Sequence, residues 1–337
     1  MKVIIKKIEY YLPENAVTND FLQTENPEWD MHNVKERAGV FKRFISSENE
    51  TALDLGLKAC EKLFVNNDEE KNKIDGIIFC TQSEDYIMPP NSCILHGKLK
   101  LPENVLAFDF NLACSGYTYG LAIARGLITA GTWKNILLVN SDTYSKFINK
   151  KDRSARVLFG DGAAATIISA GDDDLHGIID VLCSTEGKQH DKFMIPAGGC
   201  RIPLSNKTKE TETDSSGNVR SQENIHMDGM GILVFINSKV PKQIREILKR
   251  NNLTVDDISL FVFHQASKMA LDSLTKILKI KSDKVYENIG NVGNTVSASI
   301  PIAIKDAQQQ GKIKKGNKVL LSGFGVGLSW ASAIVQF

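Results

Sequence analysis

The 337-residue chain lacks any apolar stretch long enough to span a bilayer. It lacks a CxxC pair, and its six cysteines (60, 80, 93, 114, 183 and 200) make neither a disulfide framework nor a structural zinc site. It also lacks an excess of one charge. Its 41 Lys and Arg stand against 40 Asp and Glu, a net +1, which offers no basic face to nucleic acid or to an anionic membrane. The N-terminus, MKVIIKKIEYYLPEN, has charges on both sides of a short apolar run and no small-residue cleavage site, so it does not read as a signal peptide. These absences lead to an expected cytoplasmic protein with free thiols, no nucleic-acid partner, no membrane span and no metal. What is present is ordinary globular composition, 42% hydrophobic and 24% charged, enough for one large domain or two of moderate size.

Short β-branched runs alternate with helix-period segments. Strands are expected at 75–80, 105–110, 135–140, 259–263 and 318–322, and helices at 53–65, 117–130, 242–251 and 300–310. This is an α/β pattern with buried sheets. One segment breaks it. Residues 205–224, SNKTKETETDSSGNVRSQEN, are polar and without large apolar side chains, and read as a solvated surface insertion, partly disordered.

The chain also repeats itself. LACSGYTYGLAIARGLITAGTWKNILLV surrounds Cys114, and IGNVGNTVSASIPIAIKDAQQQGKIKKGNKVLL begins at Ile289. Each has a turn of small residues, a helix, a glycine, a basic turn and an apolar strand. Aligning Gly131 with Gly311, an offset of 180, carries Cys114 onto Asn294. GIIFCTQ, from Gly76, overlays LFVFHQA, from Leu260, and places His264 just past a strand end, as Thr81 is. Two α/β halves related by a pseudo-dyad, 1–172 and 173–337, are therefore expected. Ligands in such folds sit at the carboxyl ends of strands, where Cys114, His264 and Asn294 would face one another.

Each of these residues has a plain reading beside the chemical one. A lone free cysteine is usually a small buried hydrophobe. In FNLACSGYTYG, however, the small neighbours Ala113, Ser115 and Gly116 suit a tight strand-to-helix turn. A thiol at the start of that helix is expected to have a lowered pKa. His264, in FVFHQAS, is by itself a core or strand-end histidine. Asn294, in NVGNTVSASIP, is by itself a turn or cap residue. GFGVGLSW, from Gly323, alternates glycines after a strand, which lets backbone approach another group but also serves plain turns. Asp161, in FGDGA, reads as a structural carboxylate fixing a glycine turn.

Taken in the order Cys, His, Asn and glycine-rich turn, the chain resembles the β-ketoacyl-ACP synthase III enzymes of the thiolase superfamily. The likeness runs nearly end to end, through IEYYLPEN, RAGVFKR, FDFNLACSGYTYGL, DRSARVLFGDGAAA, FHQAS, GNTVSASIP and GFGVGLSWASA. The resemblance implies a thiolase-like fold layered αβαβα. It implies acyl transfer from acyl-CoA to Cys114, then decarboxylative condensation with malonyl-ACP, promoted by His264 and Asn294, to give a 3-oxoacyl-ACP. The backbone N–H groups of Cys114 and Val326 would form an oxyanion hole, although the family usually has glycine where Val326 stands. Contacts to coenzyme A or the carrier protein would fall on Trp29, Arg37 and Arg153. They would also include Lys268, beside Met269, where the family usually carries arginine. The acyl pocket would use Met88, Tyr144 and Phe159, whose bulk favours a short acyl group. In the family the loop holding Met88 crosses into a partner, so a homodimer is implied. No cofactor is implied, since coenzyme A and phosphopantetheine thioesters are substrates.

Two other classes compete. One is a thiolase-fold acyltransferase or condensing enzyme of secondary-metabolite or glycan pathways, moving an acyl group to an amine or hydroxyl. Simple transfer has no need of both His264 and Asn294, so their joint presence favours condensation. The other is a non-catalytic binding protein, which the retention of every catalytic position disfavours. A true thiolase would need a second cysteine near the C-terminal glycines, and none follows Cys200.

Overall fold

A computed structural model describes residues 2–171 and 177–337. The division expected at 172/173 lies outside the described residues. The main strands are β1 (Lys2–Tyr11), β2 (Gly76–Cys80), β3 (Leu106–Phe110), β4 (Asn135–Asp142), β5 (Gly162–Gly171), β6 (Gly177–Thr185), β7 (Glu212–Thr213), β8 (Val219–Arg220), β9 (Leu260–Phe263), β10 (Lys318–Gly325) and β11 (Ser329–Gln336). The main helices are α1 (Asn19–Glu25), α2 (Met31–Ala38), α3 (Ala52–Leu63), α4 (Asn91–Leu99), α5 (Gly116–Thr129), α6 (Arg153–Arg156), α7 (Gly229–Arg250), α8 (Lys268–Leu278) and α9 (Ser299–Gln309).

The first sheet has the order β1-β5-β4-β2-β3 and the second β6-β11-β10-β9. Place by place the pairings agree. β4 runs parallel to β2 and antiparallel to β5, and β5 is antiparallel to β1. In the second sheet β10 runs parallel to β9 and antiparallel to β11, which is antiparallel to β6. The fifth place, held by β3 in the first sheet, shrinks in the second to one parallel bridge between Phe261 and Val285.

Both sheets are covered on both faces, which is why their central strands are continuous apolar runs. Between them lie α5 and α9. Tyr117, Leu121, Ala124 and Ile128 of α5 pack with Ile300, Ala303, Ile304 and Ala307 of α9 and with side chains of both sheets in one core. Helices α3 and α4 cover the outer face of the first sheet, and α7 and α8 that of the second. The layering is αβαβα. Gly116 lets α5 lie flush on the first sheet, since a Cβ there would strike the Cys80 sulfur. Helix α3 begins where Thr51 and Asp54 form a reciprocal capping box.

Two expectations need correction. The helix expected at 242–251 starts at Gly229, where Asp228 accepts from the Gly231 N–H at 2.8 Å. Pro241 lies inside this 22-residue helix. Residues 205–224 form a built surface segment, not a loose one. Asp214 accepts from the N–H groups of Ser216 and Asn218, both at 2.9 Å, and so shapes the turn of the β7–β8 hairpin. Thr208, Asn218 and Ser221 of the segment are buried. Polar residues supply the order here through hydrogen bonds rather than through apolar burial.

Candidate active site

Cys114 lies in the turn between β3 and α5, two residues before the helix begins. His264 follows the last residue of β9. Asn294 lies in the turn before α9, and its backbone forms an isolated parallel bridge with Phe159 through Asn294 N–H to Leu158 O and Gly160 N–H to Asn294 O, both 3.0 Å. All three side chains are buried, and all three line one cavity of about 140 Å³. The offset of 180 residues between Cys114 and Asn294 thus corresponds to equivalent turns preceding the two central helices.

The glycine run closes in from the second sheet. A Cβ on Gly325 would lie 2.8 Å from both the Cβ and the sulfur of Cys114, and one on Gly323 would strike the Cys114 carbonyl. Only bare backbone fits there. The backbone amides of Cys114 and Val326 both act on the Cys114 sulfur, each favouring negative charge there. Ser329 holds the Val326 turn by donating to its carbonyl at 2.7 Å, and its hydroxyl meets that of Ser115 at 2.7 Å. Valine at 326 keeps the donor that the resemblance assigns to that position.

The thiol itself departs from the sequence expectation. Burial pushes its pKa well above the ordinary value, the nearby Asp142 carboxylate adds to this, and the two amides only partly offset it. Helix α5 does not reach the cysteine, so its dipole acts from a distance. The Cys114 thiol is thereby held in its neutral form.

Burial likewise holds His264 low, at about 3, so its imidazole is neutral. Its Nδ1 meets the Ser299 hydroxyl at 2.6 Å, which leaves Nε2 for the cavity. The Asn294 carboxamide is fixed in one orientation. Its Oδ1 accepts from the Val296 N–H at 3.0 Å, and Nδ2 donates to the Ala266 carbonyl at 3.4 Å. Among the described residues one Nδ2 hydrogen has no partner. Asp142, at the end of β4, was not foreseen. It is fully buried and accepts from Gln82 N–H at 2.8 Å and from the Ser297 hydroxyl at 2.6 Å. It thereby ties the first sheet to the turn that carries Asn294. Burial raises its pKa to about 7 against the pull of these bonds.

A wider vestibule of about 440 Å³ opens beside the cavity, and Leu158, Met227, Gly229, Leu233, Ser267 and Met269 line both. Arg37 and Arg153 line the vestibule. Trp29 does not. It is buried with Val17, Leu22, Met31 and Val157 in a small core beneath α1 and α2, so it presents no surface to a ligand. Lys268 also points elsewhere, pairing with Asp272 one turn along its own helix at 2.8 Å. Met269, its neighbour, lines the vestibule instead, because adjacent residues diverge by about 100° around a helix.

Phe159 lines the cavity, and Tyr144 packs on it with ring centroids 5.4 Å apart. Phe193 completes a three-ring wall that the sequence reading did not include, and the Tyr144 hydroxyl donates to Gln82. Met88 is 78% exposed on a loop with Tyr86 and Ile87, outside the cavity of its own chain. Asp161 accepts from the N–H and hydroxyl of Ser46, both at 2.8 Å, and from the N–H of Ser145 at 3.0 Å. It clasps two loops together and takes no place in the cavity.

Two pseudo-equivalent sheets around a shared helical layer, with a buried thiol at their seam, place the molecule among the thiolase-fold condensing enzymes, acyltransferases by chemistry. Residues 108–187 match the family model of 3-oxoacyl-[acyl-carrier-protein] synthase III, and residues 248–337 match that of its C-terminal region. The chain belongs to this family. The beta-ketoacyl-[acyl-carrier-protein] synthase III of Fusobacterium nucleatum subsp. nucleatum is 35% identical over 337 residues, covering 99% of this chain and 98% of that one. That of Campylobacter curvus is 36% identical over 341 residues, covering 100% and 97%. A crystal structure of a 3-oxoacyl-(acyl-carrier-protein) synthase III is 37% identical, with a TM-score of 0.97 over 100% of both chains. The synthase III of Pseudomonas aeruginosa is 30% identical, with a TM-score of 0.86 over 100% of this chain and 98% of that one.

Proposed function

We propose that the enzyme loads an acyl group from acyl-CoA onto Cys114 and condenses it with malonyl-ACP to give a 3-oxoacyl-ACP. The observation that carries this reading is the meeting of Cys114, His264 and Asn294 in one buried cavity. In the first half-reaction the Cys114 sulfur attacks the thioester carbonyl as its proton leaves, and coenzyme A departs as the thiol. The oxyanion forms against the amides of Cys114 and Val326. In the second, the malonyl carboxylate leaves as CO2, and negative charge develops on the thioester oxygen. Two neutral donors suit that oxygen, His264 Nε2–H and Asn294 Nδ2–H. In this reading Ser299 donates to His264 Nδ1 and so keeps the ring proton on Nε2. The enolate carbon attacks the acyl-Cys114 carbonyl, the C–C bond forms as the C–S bond to Cys114 breaks, and the departing thiolate takes a proton from solvent to restore the thiol.

Arg37 and Arg153 are the groups that would receive the phosphates of the coenzyme, since guanidinium forks match phosphate oxygens. The segments 1–172 and 173–337 act as the two halves of one catalytic unit. The enzyme works as a cytoplasmic homodimer, with the exposed Tyr86–Met88 loop seated on its partner. Burying such a large exposed apolar group is the physical reason for that seat. The test is intact mass after incubation with acetyl-CoA. Wild type gains an acetyl group and Cys114→Ala does not. An adduct that persists in the variant ends the assignment.

A further inference from the structure

We infer that the 205–224 segment is a positioning element for the coenzyme site, and that Arg220 is the residue through which it acts. The inference rests on the reading of Arg153 as a phosphate contact. Arg153 lines the vestibule, and among the described residues its guanidinium has no carboxylate partner. Yet the residue beside it, Asp152, is a carboxylate only 1% exposed. Without Arg220 that carboxylate would keep only the Ser154 hydroxyl, at 2.7 Å, and the Ala155 N–H, at 3.3 Å, and its charge would draw the adjacent Arg153 toward it.

Arg220 prevents this. From β8 its Nε reaches Asp152 Oδ2 at 2.6 Å and its Nη2 reaches Asp152 Oδ1 at 3.1 Å, a fork on both oxygens. Nη2 also donates to the Ser154 hydroxyl at 2.8 Å, and Nη1 to Asp214 at 3.0 Å. The same segment holds the backbone on either side of Arg153. Asn218 Oδ1 accepts from Ser154 N–H at 3.2 Å, and Val219 N–H donates to the Lys151 carbonyl at 3.4 Å. Residues 151, 152 and 154 are thus all engaged, and the side chain of 153 is left to face the vestibule. The segment supplies a cation to one carboxylate so that its neighbour's cation stays available to a phosphate.

The experiment compares two acyl donors on the full-length enzyme, acetyl-CoA and acetyl-pantetheine, which lacks the nucleotide and its phosphates. Arg220→Ala is expected to raise KM for acetyl-CoA about tenfold, the loss of one charge-assisted contact. Its kcat, and both constants with acetyl-pantetheine, should stay near wild type. Arg153→Ala should show the same selective loss, and the double variant should be no worse than Arg153→Ala alone. Asp152→Asn combined with Arg220→Gln removes both charges and should restore KM for acetyl-CoA. That variant also keeps the test open if Arg220→Ala folds poorly. Equal losses with both donors, or no loss with either, overturn the inference, as does failure of the charge-neutral pair to recover. If Arg153→Ala leaves KM for acetyl-CoA unchanged, the reading of Arg153 itself is wrong.

Discussion

At the scale of single residues the site is governed by burial. A neutral thiol, a neutral imidazole and a carboxamide share the cavity, so the chemistry must run on hydrogen-bond donation rather than on fixed charge. Asn294→Ala should therefore keep Cys114 acylation but slow malonyl decarboxylation about a hundredfold or more, measured by CO2 release. If both steps survive, the carboxamide is not a donor to the enolate. His264 also makes a pH prediction. With its folded value near 3, kcat should show no acid limb around 6.5, the ordinary histidine value. A limb there that disappears in His264→Ala would refute a neutral imidazole. Stability carries the matching signature. Between pH 6.5 and 3 the unfolded chain binds a proton that folded His264 refuses, so stability falls on acidification. Asp142 opposes this between about 3.8 and 7, because there the folded state holds a proton that the unfolded chain gives up. His264→Ala removes one of the two slopes. Its stability relative to wild type should rise by about 1.4 kcal/mol per pH unit as pH falls from 6 to 4. Thermal melts of both proteins across that range are the check.

At the scale of elements the reactive geometry comes from the approach of the β10 end to the turn before α5. Gly325→Ala puts a methyl into Cys114. Overpacking of this kind costs about 1–3 kcal/mol. Acylation should be lost while the fold persists, as seen by intact mass and circular dichroism. An acetyl adduct at the wild-type rate would mean that the strand can retreat without loss. The glycines and Cys114 were legible in sequence because each sits in a short stretch whose residue types already state the turn. His264 and Asn294 were legible because the repeat carries them to equivalent ends. Asp142 and Ser299 were not, since a single polar residue acquires meaning only from the partner packed against it. Arg220 was hidden for the same reason, its partner Asp152 being remote in sequence. Trp29 and Lys268 were placed by their neighbours in the chain, yet the packing of α1 and α2 and the turn of α8 sent their side chains elsewhere. The start of α7 was lost because its glycines and Pro241 look like punctuation.

At the scale of the whole molecule the two sheets share their central helices, so neither half has a complete core alone. The sequence repeat announces two related halves, but neither their shared core nor the loss of the fifth strand from the second sheet. The Tyr86–Met88 loop is the outward counterpart. Ile87 is 92% exposed, an apolar tip without cover in a single chain. Light scattering should give twice the chain mass for wild type, and Ile87→Asp should shift it toward one. A wild-type monomer at micromolar concentration would remove the homodimer from the proposal.

Val326 belongs to the link between β10 and β11, and both strands lie deep in the second sheet's order. During synthesis Cys114 leaves the ribosome long before that link is made. A nascent chain therefore carries Cys114 before Val326, His264 and Asn294 have been made. A chain truncated before β10 would keep Cys114, His264 and Asn294 yet lack the Val326 amide that the complete fold sets beside the sulfur.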